Sequence, residues 1–194
     1  ILIAQSAVSQ TLVKDIYTGK NGSNPSIIGS VNGGYIFYAT TPTEGNEIWF
    51  TDGTGSNTRL VKDINSGVGS SSFNSQYVKV NNNWFFVAKH QGLNWSLWKT
   101  DGTTAGTLMV KDLGGIPIPP GGGSVAPILM AAHNGLLYFG FDDQGGGLGN
   151  ELWVSDGTTS GTKMVKDINP TAGSTPIGLT SMGKYLYFYA NDGS

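Results

Sequence analysis

Cysteine is absent from the 194 residues, so neither disulfides nor thiolate-bound metals contribute to this protein. Charge is scarce as well: Asp, Glu, Lys and Arg make up 12% of the chain, and the net charge is −2. That balance excludes the basic surface that nucleic acid or an anionic membrane requires. Apolar runs are short. Val125 to Ala132 is interrupted by Pro127, and no run approaches the roughly 20 residues of a membrane-spanning helix, so no membrane insertion is expected. No apolar pattern recurs at helical spacing, which excludes helical solenoids. There is no HExxH, no GxSxG and no phosphate loop, and Gly121 to Gly123 lacks the following lysine and helix of a phosphate cradle. Catalysis has no positive support, and the chain is read as non-enzymatic.

What is present is repetition. Asn46 to Ile64 (NEIWFTDGTGSNTRLVKDI), Asn94 to Leu113 (NWSLWKTDGTTAGTLMVKDL) and Glu151 to Ile168 (ELWVSDGTTSGTKMVKDI) are three copies of one unit, and Thr11 to Ile16 (TLVKDI) is a partial fourth. The period is near 50 residues. In each copy an apolar run ends at Asp-Gly-Thr and resumes as Leu-Val-Lys-Asp-Ile or its equivalent, which reads as two strands joined by a turn of four or five residues. Asp52, Asp101 and Asp156 supply Asx-type hydrogen bonds there, and the following glycine tolerates positive φ. Two further strands precede each hairpin: Ser26 to Val31 with Tyr35 to Ala39, Ser75 to Val80 with Trp84 to Ala88, Pro127 to Ala132 with Leu136 to Gly140, and Pro176 to Met182 with Leu186 to Ala190. The inner strands are apolar on both faces. The last strand, where Arg59, Lys62, Lys163 and Lys166 alternate with aliphatics, is an amphipathic edge. An all-β fold follows, a β-propeller of four-stranded antiparallel blades, with about four blades in one domain spanning 1–194.

The copies EIWFTDGT, SLWKTDGT and ELWVSDGT, each followed by VKDI or VKDL, resemble the ELWxxDGT repeat proteins, large secreted or surface proteins of bacteria, many from the Bacteroidetes. The resemblance covers nearly the whole chain. It implies a repeat architecture and a secreted or cell-surface location, and it carries no catalytic residue. Ser96 departs from the pattern by replacing the first acidic residue of the motif.

The blade-like units run over about 26–64, 75–113, 127–168 and 176–194. The last is expected to be completed by residues 1–16, with Ile1 to Gln10 as a degenerate third strand or the remnant of a signal peptide, and Thr11 to Ile16 as the fourth strand. The chain is either a closed four-bladed ring or part of a larger polypeptide. Trp49, Trp98 and Trp153 share one repeated position and are expected to pack blade against blade rather than stack on sugars. The recurring acids, Glu47 and Glu151 among them, are read as turn and edge residues.

The acids outside the repeat lie between second and third strands: Glu44, Asp142, Asp143 and Asp192. In a propeller these loops share one rim with the links between blades, and loops on a rigid scaffold are where binding residues concentrate. The candidate ligand-binding residues are therefore Glu44, His90, Trp95, Asp142, Asp143 and Asp192, with Trp95 either an exposed aromatic contact or packed on its own loop. Asp142, Asp143, Gln144 and Asn150 offer oxygen ligands for Ca²⁺ but lack the EF-hand spacing; solvated loop acids are the simpler reading, and no other cofactor is indicated. The expected function is recognition of a glycan or protein partner at the cell surface. The alternatives are a glycan hydrolase or lyase using rim carboxylates, and a structural spacer in a longer array.

Overall fold

The computed structural model describes residues 11–71, 73–89, 95–113, 129–142 and 149–194. Among the described residues there are fourteen strands and no helix. The first sheet is β1 (Ser26–Val31), β2 (Gly34–Thr41), β3 (Gly45–Thr51) and β4 (Arg59–Lys62), paired in that order and antiparallel throughout. The second repeats it with β5 (Phe73–Val80), β6 (Asn83–Lys89), β7 (Trp95–Thr100) and β8 (Leu108–Asp112), and the third with β9 (Met130–His133), β10 (Leu136–Asp142), β11 (Asn150–Ser155) and β12 (Lys163–Lys166). A fourth sheet has only β13 (Ile177–Met182) and β14 (Tyr185–Tyr189). None of the four closes into a barrel.

The turn chemistry is the same in each copy. Asp52 Oδ1 accepts from the Thr54 amide and hydroxyl, Gly53 has φ +92°, and Thr58 donates to the Thr54 carbonyl at 2.7 Å while its hydroxyl meets that of Thr51. Asp101 with Thr103 and Thr107, and Asp156 with Thr158 and Thr162, reproduce these contacts. The turn is longer than expected, because the hydroxyl network occupies everything between Thr51 and Arg59. The fourth strand departs from simple alternation too. Ile48 pairs with Lys62 and Trp49 with Leu60, so Val61 is the extra residue of a bulge, as are Val110 and Val165 in their sheets. A bulge bends an edge strand and re-aims one side chain. Here it turns Val61 and Val110 into the space between sheets, where both are buried.

The sheets stack with a fixed polarity. Ile36, Ile48, Phe50 and Val61 of the first sheet pack on Phe86, Ala88 and Trp98 of the second. Phe85, Val87, Leu97 and Val110, from the second sheet's other side, pack on Leu137, Phe139, Phe141 and Trp153 of the third. Trp98 and Trp153 are therefore inter-sheet core, as expected. On the first sheet the equivalent surface, Phe37, Ala39, Trp49 and Leu60, is met by Ile16.

One strand expectation fails: residues 11–16 are not in a strand and add nothing to the fourth sheet, although Ile16 packs on the first sheet as Ile64 and Leu113 pack on the second and third. Ile1 to Gln10 lie outside the described residues. At the β1–β2, β5–β6 and β9–β10 turns, Asn32, Asn81 and Asn134 all have φ near +50°, and the first two reach the next unit, Asn81 donating to the Gly135 carbonyl. Asn32 donates to the Asp101 carbonyl and Asn82 to Asn32 Oδ1.

Candidate functional site

The opposite edge of the stack is where the links between sheets meet the β2–β3 and β10–β11 connections. Two glycines let the segments touch: at Gly45 and Gly149, both with φ near +69°, an added Cβ would lie 2.9 Å from Gly69 and 2.5 Å from Gly173. The expectation that links and second-to-third-strand loops share one rim therefore holds at both places.

Beneath this rim lies a buried carboxylate. Glu47, fully buried, accepts from the amides of Ile64, Asn65 and Ser71 and from the Ser71 hydroxyl at 2.8 Å. Glu151 accepts from the amides of Ile168 and Ser174 and from the Ser174 hydroxyl at 2.6 Å. Desolvation raises the Glu47 pKa above the usual carboxylate value, against the lowering effect of these donors. The first acidic residue of the motif is thus a clamp on the link. Its place is taken in the second sheet by Ser96, also fully buried. The structural reading of these acids stands.

Above the Glu47 clamp the rim opens into a depression of about 500 Å³ lined by Asn24, Tyr38, Thr40, Asn46, Ser70, Ser71 and Phe73. Its apolar wall is a stacked pair: the Tyr38 and Phe73 rings lie 5.3 Å apart and 13° from parallel, with Tyr77 tilted against Tyr38. Its polar wall is held by the link, since Ser70 Oγ accepts from the Asn46 amide and the Ser71 amide donates to the Asn46 carbonyl. Asn24, in the left-handed region at φ 45°, follows Ser23, whose carbonyl accepts from the Thr40 amide. Among the described residues the Asn24 and Asn46 side-chain amides have no hydrogen-bond partner. Among the described residues no charged side chain lines the depression.

The sequence-predicted residues are dispersed. Glu44 is engaged by its own turn, accepting from the Thr41 and Thr43 hydroxyls, which lower its pKa. Asp192 closes a turn by accepting from the Ser194 amide and hydroxyl, with its pKa lowered for that reason. Trp95 is not an exposed contact: it is 9% exposed, belongs to the core between the second and third sheets, and has Lys89 Nζ 5.0 Å from its ring centroid. It stands opposite Lys89 as Asn46 stands opposite Thr40, so a rim position has been turned into core. Asp142 pairs with Asn150 in that same register and so corresponds to Thr40. His90 and Asp143 lie outside the described residues, as does most of the Asp142–Asn150 loop offered for Ca²⁺. His133, at the end of β9, is buried and ties β9 to β13 through Nδ1 and the Ser181 hydroxyl at 2.9 Å.

Tyr38 was missed because it sits in a strand read as core, and Phe73 because it precedes the strand expected at Ser75 to Val80, which in the structure begins at Phe73. The available signal was their variation against a constant frame: the Tyr38 position is Val87 and then Gly140 in the other copies, and Phe73 corresponds to Pro176. Comparison of the chain with family models, curated proteins and solved structures finds no match.

Proposed function

We propose that this chain is a propeller-type repeat protein, exported to the bacterial surface, that recognises an uncharged glycan without transforming it. The observation that supports this most directly is the rim depression: a stacked aromatic pair beside two unpartnered side-chain amides and several hydroxyls, with no charged group among the described lining residues. Sugars present apolar C–H faces and rings of hydroxyls. An aromatic surface takes the first, and amides, which both donate and accept, take the second. The volume lies within the range of small-molecule sites. Export rests on the resemblance of the three motif copies to ELWxxDGT proteins, and the propeller on the four-stranded units and their uniform stacking.

A panel of neutral polysaccharide fragments (glucans, xylans, mannans and galactans), titrated calorimetrically against the chain, tests the reading. One class binds, and Tyr38→Ala weakens it by at least about tenfold while far-ultraviolet circular dichroism is unchanged. Failure of every neutral class to bind, or binding indifferent to Tyr38→Ala, rejects it.

A further inference from the structure

Each internal junction joins two distinct surfaces, and among the described residues one of each is left uncovered. The second and third sheets present their Trp98 and Trp153 sides to the preceding sheet. Among the described residues, the first sheet's equivalent side has only the segment around Ile16 against it, leaving an apolar groove of about 380 Å³ lined by Leu12, Val13, Ile16, Ile27 and Phe37 among others. Val13 occupies the place of the bulge residues Val61 and Val110, which are sealed by the following sheet together with their own, yet it is 44% exposed. At the other end, Tyr187 of β14 corresponds in register to Ile36 and Phe85, residues that pack on the next sheet, and is half exposed beside exposed Tyr185 and Tyr189.

We propose that the groove on the first sheet receives the β14 face of a second copy of this chain, head to tail, repeating the internal junction between molecules. The occupant is identified by continuity with the internal interfaces: in both of them the Trp-bearing side is covered by residues at the Ile36 and Phe85 register. The chain's own copy of that surface is left open rather than folded onto the groove. A contact between two different surfaces is heterologous, so it grows into a ring or a filament rather than stopping at a symmetric dimer.

Sedimentation velocity of the 194-residue chain tests this. The mass rises with concentration through the micromolar range. Ile27→Lys, in the groove, and Tyr187→Lys, on the opposite face, each weaken association by at least about tenfold. Both side chains are solvent-accessible, and circular dichroism checks that both variants are folded. Mixed together, the two variants recover one dimer and no larger species, because each keeps the surface the other has lost. A monomer at every concentration, or variants that fail to complement, overturns the proposal.

Discussion

The junction between the first and second sheets and the junction between the third and fourth share one frame and differ in what fills it. In both, a buried glutamate, Glu47 or Glu151, holds the link by the amide of an isoleucine and by a serine, Ser71 or Ser174. In both, a left-handed glycine lets link and hairpin meet. At the first junction Tyr38 and Phe73 then stack and leave an open depression. At the second their counterparts are Gly140 and Pro176, and a Cβ added at Gly140 would sit 3.3 Å from the Pro176 ring and 3.2 Å from Asn150 Oδ1. The same support therefore yields an aromatic-walled recess in one place and a filled surface in the other. Stability is invested in the repeated positions, and the shape of the rim is set by the positions that change.

That division can be broken from the repeated side first. Trp98→Ala removes a fixed inter-sheet ring from the first junction and costs about 3–5 kcal/mol in urea denaturation; a loss below about 1 kcal/mol would move the repeated tryptophans out of the core. Next in size, Glu47→Ala and Glu151→Ala each strand buried link amides and cost about 2–3 kcal/mol. Near-equal losses sharpen the comparison, whereas a loss confined to one site breaks the equivalence of the two clamps.

The smallest effects are those of pH, and they run in opposite directions for clamp and turn. Glu47 has its pKa raised in the folded chain, so its contribution is greatest in acid and declines as pH rises from the ordinary 4.5 through the raised value. Asp52 is held at about 2 by the Thr54 hydroxyl and the Asn57 amide, so its contribution is present above the ordinary 3.8 and is lost as pH falls toward 2. Denaturation midpoints from pH 6 to 2 show Glu47→Gln gaining on the wild type as pH rises, and Asp52→Asn gaining as it falls. The reverse signs would reject the assignment of these groups.

Much of the frame was legible because its signals are local. Asp-Gly-Thr dictates a turn through contacts two residues apart, and four apolar segments per repeat dictate four strands. The bulges at Val61 and Val110 were not legible, since Leu-Val-Lys alternates whether or not a residue is skipped in pairing. The candidate site was hidden for a related reason. Phe73 reaches Tyr38 across a link, and a sequence records no distance between residues 35 apart. Charged loop residues drew attention instead, yet Glu44 and Asp192 spend their oxygens on their own turns. Trp95 misled in the other direction: an aromatic outside the repeated position looked available, but burial against Phe141 and Val87 is the stronger demand on a large ring.

The clamp carries one more implication, in the currency of chain length. A carboxylate that binds both Ile64 and Ser71, or both Ile168 and Ser174, works as a gauge, since only a link of seven or six steps brings both ends to the same two oxygens. Ser96 is too short to measure anything in this way. The link that follows it, from Gly114 to Ala126, is the longest in the chain and the one furnished with three prolines. The repeat is thus gauged where glutamate stands and carries its longest link where serine takes that place.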